Sequence, residues 1–209
     1  MDETPGGHPV NAHAQSLLSF QDYLDMEART GIKHEFWHGQ AFAMGGGSVN
    51  HGRLQFNLSG ILYAQLRGSP YLGLSPDARV VVEAEGLYTY PDLSVVCGTP
   101  DVDNFNSVRN PTFIAEVLSP STEVYDRGAK FEMYRQLPSL RHYLLVAQDR
   151  KLVQLFSRQE GGQWTFQSFG DDRDVVALSF IGAEVPLSEL YQNLVLPPPT
   201  LRAATRDLP

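Results

Sequence analysis

Residues 112–137 read TFIAEVLSPSTEVYDRGAKFEMYRQL, and the period of the apolar positions changes partway along. Thr112 to Leu118 is a β-type run in which side chains alternate between faces. Glu116 therefore shares a face with Ile114 and Leu118, while Phe113, Ala115 and Val117 point the other way. Ser119-Pro120-Ser121-Thr122 is a helix-start signal, and Glu123 to Leu137 has helix-forming content until Pro138 interrupts it. Reading outward, Arg141–Ala147 and Lys151–Ser157 form strand, Asp-Arg turn, strand. Gln163–Phe169 and Val175–Phe180 continue the β run, and Leu187–Tyr191 is a short last helix. On the other side lie short strands at Arg79–Glu83 and Leu93–Cys97. Before them comes a helix, Val49–Leu66, with Leu54, Leu58, Ile61, Leu62 and Leu66 at helical spacing. HEFWHGQAFAM, 34–44, reads as a hairpin turning at His38-Gly39, preceded by a helix Phe20–Ala28 capped by Ser19 and stopped at Thr30-Gly31. The order predicts an α/β fold of α+β character, a mixed β-sheet flanked by helices.

The chain has 209 residues, 42% of them hydrophobic and 19% charged, which excludes a disordered chain, a collagen and a coiled coil. Residues 1–15 and 197–209 lack periodicity and read as tails around a single domain, 16–196. There is no membrane-length apolar run, and the N-terminus has neither the basic nor the apolar region of a signal peptide, so the expectation is a cytoplasmic protein without membrane contact. A lone cysteine, Cys97, excludes an intramolecular disulfide and a Cys-rich zinc site, which leaves oxygen as the ligand for any metal. Net charge is −8, against a protein that coats nucleic acid through bulk electrostatics. Residues 127–158 run the other way, with seven basic side chains against Glu132 and Asp149, and that segment is expected to contact a nucleic-acid backbone.

Two acidic residues stand at the margins of apolar strands: Asp92 in YPDLSVVCG, 90–98, and Glu116. A carboxylate among apolar neighbours is partly desolvated and needs a compensating cation, a basic side chain or a metal. Two such groups brought together suit a hard divalent cation such as Mg²⁺. Lys130 stands in helical register with Asp126 and Tyr134, placed to polarise an attacking water or to stabilise charge on a reacting phosphate. Each residue alone also has an ordinary role: Pro91-Asp92 a turn, Glu116 an ion-pair partner, Lys130 a solvated helix cation.

Together, Pro91-Asp92, Glu116 on its strand and the helix-borne Lys130 resemble a PD-(D/E)XK nuclease core, and specifically the Uma-type family of restriction endonucleases. The similarity covers most of the chain: HEFWHGQAFAM, SVNHGRLQFNLSGIL, YPDLSVV and, most specific, EVLSPSTEVYDRGAKFEMY. It implies a restriction-endonuclease-like fold and a metal-dependent DNA endonuclease using Mg²⁺, or Mn²⁺. Asp92 and Glu116 would hold the metal with the Val117 carbonyl, Lys130 would be the catalytic lysine, and Glu35 matches the family's upstream acidic residue. The chain departs from the parent superfamily two residues after Glu116, where Leu118 stands in place of lysine.

Other motifs are weaker. Gly45-Gly46-Gly47 lacks the following Gly-Lys-Ser/Thr of a P-loop, and His51 serves equally as a phosphate neighbour, a cap or a core residue. Ser119 and Ser121 lack a G-x-S-x-G elbow and read as caps of the Lys130 helix. Arg79 either lines a phosphate-binding cleft or pairs with Glu83, and the polar insertion 101–110 is a candidate specificity loop. Edge strands that need cover make a homodimer the expected assembly. Two rival readings remain: a catalytically inactive nuclease-fold protein that binds nucleic acid or serves assembly, and a metal-independent acid/base enzyme using Asp92 and Glu116 as paired carboxylates.

Overall fold

A computed structural model describes residues 17–198; both predicted tails lie largely outside the described residues. The N-terminal helix α1, Phe20–Thr30, starts at a reciprocal cap in which Ser19 Oγ accepts from the Asp22 amide and Asp22 accepts from the Ser19 amide. It ends at Gly31, whose φ of +67° closes the last turn. A tight hairpin follows, β1 His34–Trp37 and β2 Gln40–Ala43, turning through His38 at φ +47° and Gly39 at φ +79°. The long helix α2, Val49–Leu66, is capped by Ser48 and buries Leu54, Leu58, Leu62 and Leu66 at every fourth position.

The remaining strands are β3 Tyr71–Leu74, β4 Val80–Val82, β5 Leu87–Thr89, β6 Leu93–Cys97, β7 Pro111–Leu118, β8 His142–Ala147, β9 Val153–Arg158, β10 Trp164–Phe169, β11 Val175–Leu178 and β12 Ala183–Pro186. Six of them form one mixed sheet in the order β10-β9-β8-β7-β6-β3. Every neighbouring pair in it is antiparallel except β7 and β8, which are parallel and need a crossover. A four-stranded sheet, β2-β1-β5-β4, and the ribbon β11-β12 complete the β structure of the described residues.

β7 is central, and its alternation divides the core. Phe113, Ala115 and Val117 pack with α2, β11, β12 and the short helix α5, Leu187–Leu190. Ile114 and Leu118 face the opposite core with Val80, Val82 and Leu87 of the four-stranded sheet. Glu116 occupies that second face between two apolar neighbours, as the alternation predicted.

The crossover from β7 to β8 differs from the predicted continuous helix 123–137. It is two short helices, α3 Glu123–Arg127 and α4 Ala129–Tyr134, broken at Gly128, where ψ of −99° leaves helical space. Ser119 and Ser121 do not cap the lysine helix. The Ser119 hydroxyl accepts from the Thr122 amide in the turn before α3, and the residue at the N-cap of α4 is Gly128, which has no side chain to cap it. The segment predicted as strand to Glu83 ends at Val82, and Glu83–Glu85 is a short 3₁₀ turn closed by Gly86 at φ +59°.

Candidate active site

The strand register brings the acidic residues together. β6 and β7 pair antiparallel with Leu93 opposite Ala115, so one step further along Asp92 stands opposite Glu116 on the adjoining strand. β1 contributes Glu35, α3 contributes Asp126 and α4 contributes Lys130. The Lys130 ammonium lies 2.6 Å from Glu35 Oε1, 2.9 Å from Glu116 Oε1 and 3.5 Å from Asp126 Oδ1, all four side chains buried. The Tyr134 hydroxyl donates to Glu116 Oε1 at 2.9 Å, the Thr89 hydroxyl donates to Glu35 Oε1 at 2.6 Å, and the Tyr125 and Tyr134 rings stand 5.8 and 5.9 Å from the ammonium. The lysine is thus fixed by charge, hydrogen bonds and aromatic faces together.

Asp92 is held by another set. Its Oδ2 accepts from the Val117 amide at 2.6 Å, and its Oδ1 accepts from Gln55 Nε2 at 2.5 Å and lies 3.1 Å from His51 Nε2. His51 and Gln55 are four apart on the first turns of α2, which aims both at one carboxylate. Gly47 is required here, because a Cβ at that position would lie 2.8 Å from the His51 ring.

One ammonium is shared among three carboxylates, with Asp92 as a fourth nearby. Burial pushes Glu116 up to about 8; Lys130 opposes this, and the charges of Asp126 and Asp92 add to it. Burial likewise raises Asp126 against the pull of Lys130. Glu35 moves the other way: burial is outweighed by the Lys130 charge and by hydrogen bonds from Lys130, Thr89 and Tyr125. Lys130 itself stays charged, its burial outweighed by Glu116 and the neighbouring acids.

Among the described residues no three His, Cys, Asp or Glu side chains are gathered as a ready-made metal site. The chemistry of the donors nevertheless fits a hard cation. They are all oxygen, and four carboxyl groups stand around a single ammonium.

Glu35, Glu116 and Lys130 meet directly, and Asp92 joins them through the Val117 backbone amide; the Val117 contact on Asp92 is its N–H. Asp126, Gln55 and Thr89 complete the surroundings and were not among the predicted site residues. Asp126 stands four residues before Lys130, across the Gly128 break, a spacing visible in the sequence, whereas Gln55 and Thr89 act across long separations. Much of the charge of the basic segment 127–158, expected to contact a nucleic-acid backbone, is paired within the chain. Arg127 and Arg150 pair with Glu123, Arg135 pairs with Glu132, Lys151 pairs with Asp172, and Arg158 donates to the carbonyls of Arg135 and Leu137. Arg79 neither lines a cleft at this site nor meets Glu83. It is buried, bonded to Ser107 and the Phe105 carbonyl and 3.6 Å from Glu27, while Glu83 pairs with Arg109. In segment 101–110 Ser107 and Val108 are buried, tied down by Arg79 and by bridges to Val80 and Val102, while Val102 and Phe105 stay exposed.

Residues 20–188 match the family model described as "Uma2: Putative restriction endonuclease". Two similar proteins come from Synechocystis sp. "Uncharacterized protein slr1290" is 36% identical over 88% of this chain and 98% of its own length, and "Uncharacterized protein sll1609" is 34% identical over 79% and 94%. A crystal structure of a "putative nuclease belonging to DUF820" from Anabaena variabilis superposes with a TM-score of 0.66, at 14% identity, over 82% of this chain and 98% of that one. That likeness is one of fold. No helix among the described residues is long and apolar enough to cross a membrane.

Proposed function

Since the chain belongs to the Uma2 family of putative restriction endonucleases and shares its fold with a putative nuclease, we propose that it is a divalent-metal-dependent endonuclease that hydrolyses phosphodiester bonds of DNA. The observation that carries this reading is the buried meeting of Lys130 with Glu116 and Glu35, beside an Asp92 fixed to the next residue of the same strand. Asp92 and Glu116, with the Val117 carbonyl, would hold Mg²⁺ or Mn²⁺. Once bound, the cation supplies Lewis acidity toward a phosphate oxygen and favours ionisation of water.

The protein's own groups divide the rest of the work. Lys130 donates a hydrogen bond that orients the attacking water and stabilises negative charge on the phosphorus oxygens as the leaving oxygen departs. Glu35 accepts from Lys130 and keeps its ammonium aimed; Tyr134 fixes Glu116 through Oε1. Gln55 and His51 orient Asp92, the kind of outer support that tunes a metal ligand.

The test is calorimetric titration of Mg²⁺ and Mn²⁺ into the wild type and Asp92→Ala, with cleavage of supercoiled plasmid followed in the same buffers. Cation binding and nicking that are both lost in Asp92→Ala support the reading; a wild type that neither binds the cation nor cuts refutes it. One observation favours a second reading, an inactive nuclease fold that binds nucleic acid: Lys130 already pairs with two of the acids by itself. Under that reading Asp92→Ala alters thermal stability and leaves oligonucleotide binding intact.

A further inference from the structure

The outer face of α2 carries cations that have no ion-pair partner among the described residues. From Val49 to Arg67 the sequence contains no Asp or Glu, in a chain of net charge −8. Val49, Arg53, Phe56, Gly60, Tyr63 and Arg67 follow at intervals of four and three, which places them in one line along the helix. The line is exposed: Val49 at 87%, Phe56 at 78% and Tyr63 at 72%, with open space where a Gly60 Cβ would stand. The leucines on the buried side anchor the helix to the sheet, so the core makes no use of this line. Among the described residues neither Arg53 nor Arg67 forms an ion pair, in contrast to the internally paired segment 127–158. Tyr63 and Arg67 also border a groove of about 390 Å³, with Leu72, Leu74, Leu93 and Val95 among its lining residues. Leu93 follows Asp92 on β6 with its side chain on the α2 side of the sheet, the face opposite Glu116, and the first turns of the same helix hold Asp92.

We propose that this face is the track on which a single-stranded or locally unpaired nucleic acid lies, Arg53 and Arg67 taking phosphates and Phe56 and Tyr63 stacking bases. The inference rests on the nuclease reading and gives its substrate a form. Phe56 and Tyr63 are separated along the helix by about 10 Å, about three base steps at 3.4 Å each. Two aromatic side chains flanked by guanidinium groups are the elements of sequence-tolerant single-strand binding. Charge argues against a second copy of the chain as the occupant. Antiparallel pairing of two α2 helices about Gly60 sets Arg53 against Arg67, and parallel pairing sets each arginine against its own copy.

The test is fluorescence anisotropy of a fluorescein-labelled mixed-sequence 20-mer, single-stranded and duplex, in EDTA so that no cleavage intervenes. Phe56→Ala/Tyr63→Ala is expected to weaken single-strand binding about tenfold or more while duplex binding stays within about twofold. Arg53→Ala/Arg67→Ala is expected to flatten the logarithmic salt dependence of single-strand binding by about 1.4. Both pairs lie on the surface and should unfold at the wild-type temperature. Wild-type affinity in both double variants overturns the proposal, as does a wild type that does not bind the single strand. A wild-type dimer in sedimentation that Phe56→Ala/Tyr63→Ala dissociates also overturns it, since a second copy then covers the face. Mg²⁺ calorimetry on the same variants separates the two ideas. If cation binding and cleavage persist while the oligonucleotide arms fail, the track falls alone; if the oligonucleotide arms hold and Asp92-dependent cation binding is absent, the catalytic reading falls and the track stands as a binding surface.

Discussion

Lys130 is surrounded by Glu35, Glu116 and Asp126, so its removal is costly whether or not the protein cuts nucleic acid. Lys130→Met leaves buried carboxylates without a cation and is expected to lower stability by about 3–5 kcal/mol, read as a fall in urea midpoint at unchanged slope. Glu116→Gln should do the reverse in alkali. The folded Glu116 ionises at about 8, above the usual value of 4.5, so the native state holds the extra proton between those pH values. The stabilisation is present at acid pH and is lost as pH rises through about 8. At pH 9 Glu116→Gln is therefore expected to melt a few degrees above the wild type, by circular dichroism, while losing Mg²⁺ binding. Glu116 and Lys130 were legible in the sequence because a carboxylate inside an apolar strand and a cation in helical register leave local signatures. The hydrogen bonds of Asp92 were not, since His51 and Gln55 reach it across about forty residues and only the folded register brings them together.

At the level of elements, the hairpin β1–β2 places Glu35, and its turn depends on Gly39. A Cβ there would sit 2.8 Å from Leu17 Cβ, and φ of +79° is unfavourable for any side chain. Gly39→Ala is expected to cost about 2 kcal/mol, measurable by urea unfolding. The same hairpin and the whole of α2 could be read from sequence, because each joins an uninterrupted apolar pattern to a turn or cap signal. β3, β5 and β12 escaped notice: each is only three or four residues long, too short for an alternating pattern to show, and is flanked by turn residues. The break between α3 and α4 was hidden for the opposite reason. Glycine in a helix-forming run is tolerated often enough that the sequence does not announce a break, and at Gly128 the backbone departs from the helix.

For the molecule as a whole, acid sensitivity should trace in part to His142, buried at the start of β8. The Phe180 amide donates to its Nε2 at 3.2 Å, so Nδ1 carries the proton and donates to Ser157 Oγ at 2.9 Å. No second proton can be added without breaking the first bond, and burial lowers the group from 6.5 to about 4. The unfolded chain therefore takes up the proton first as pH falls. Stability is full above about 6.5 and declines toward pH 4, by up to about 3 kcal/mol. His142→Asn should be less stable at pH 7 yet vary less across that window, in urea titrations at each pH. The layered arrangement has one more consequence. Glu35 belongs to the four-stranded sheet, whereas Glu116, Asp126 and Lys130 belong to the six-stranded sheet and its crossover, so the Lys130–Glu35 ion pair is a rivet between two layers. With Glu35→Gln the rivet loosens, and amide protons of β1 and β5 should exchange with deuterium faster while those of β7 and β8 keep their protection.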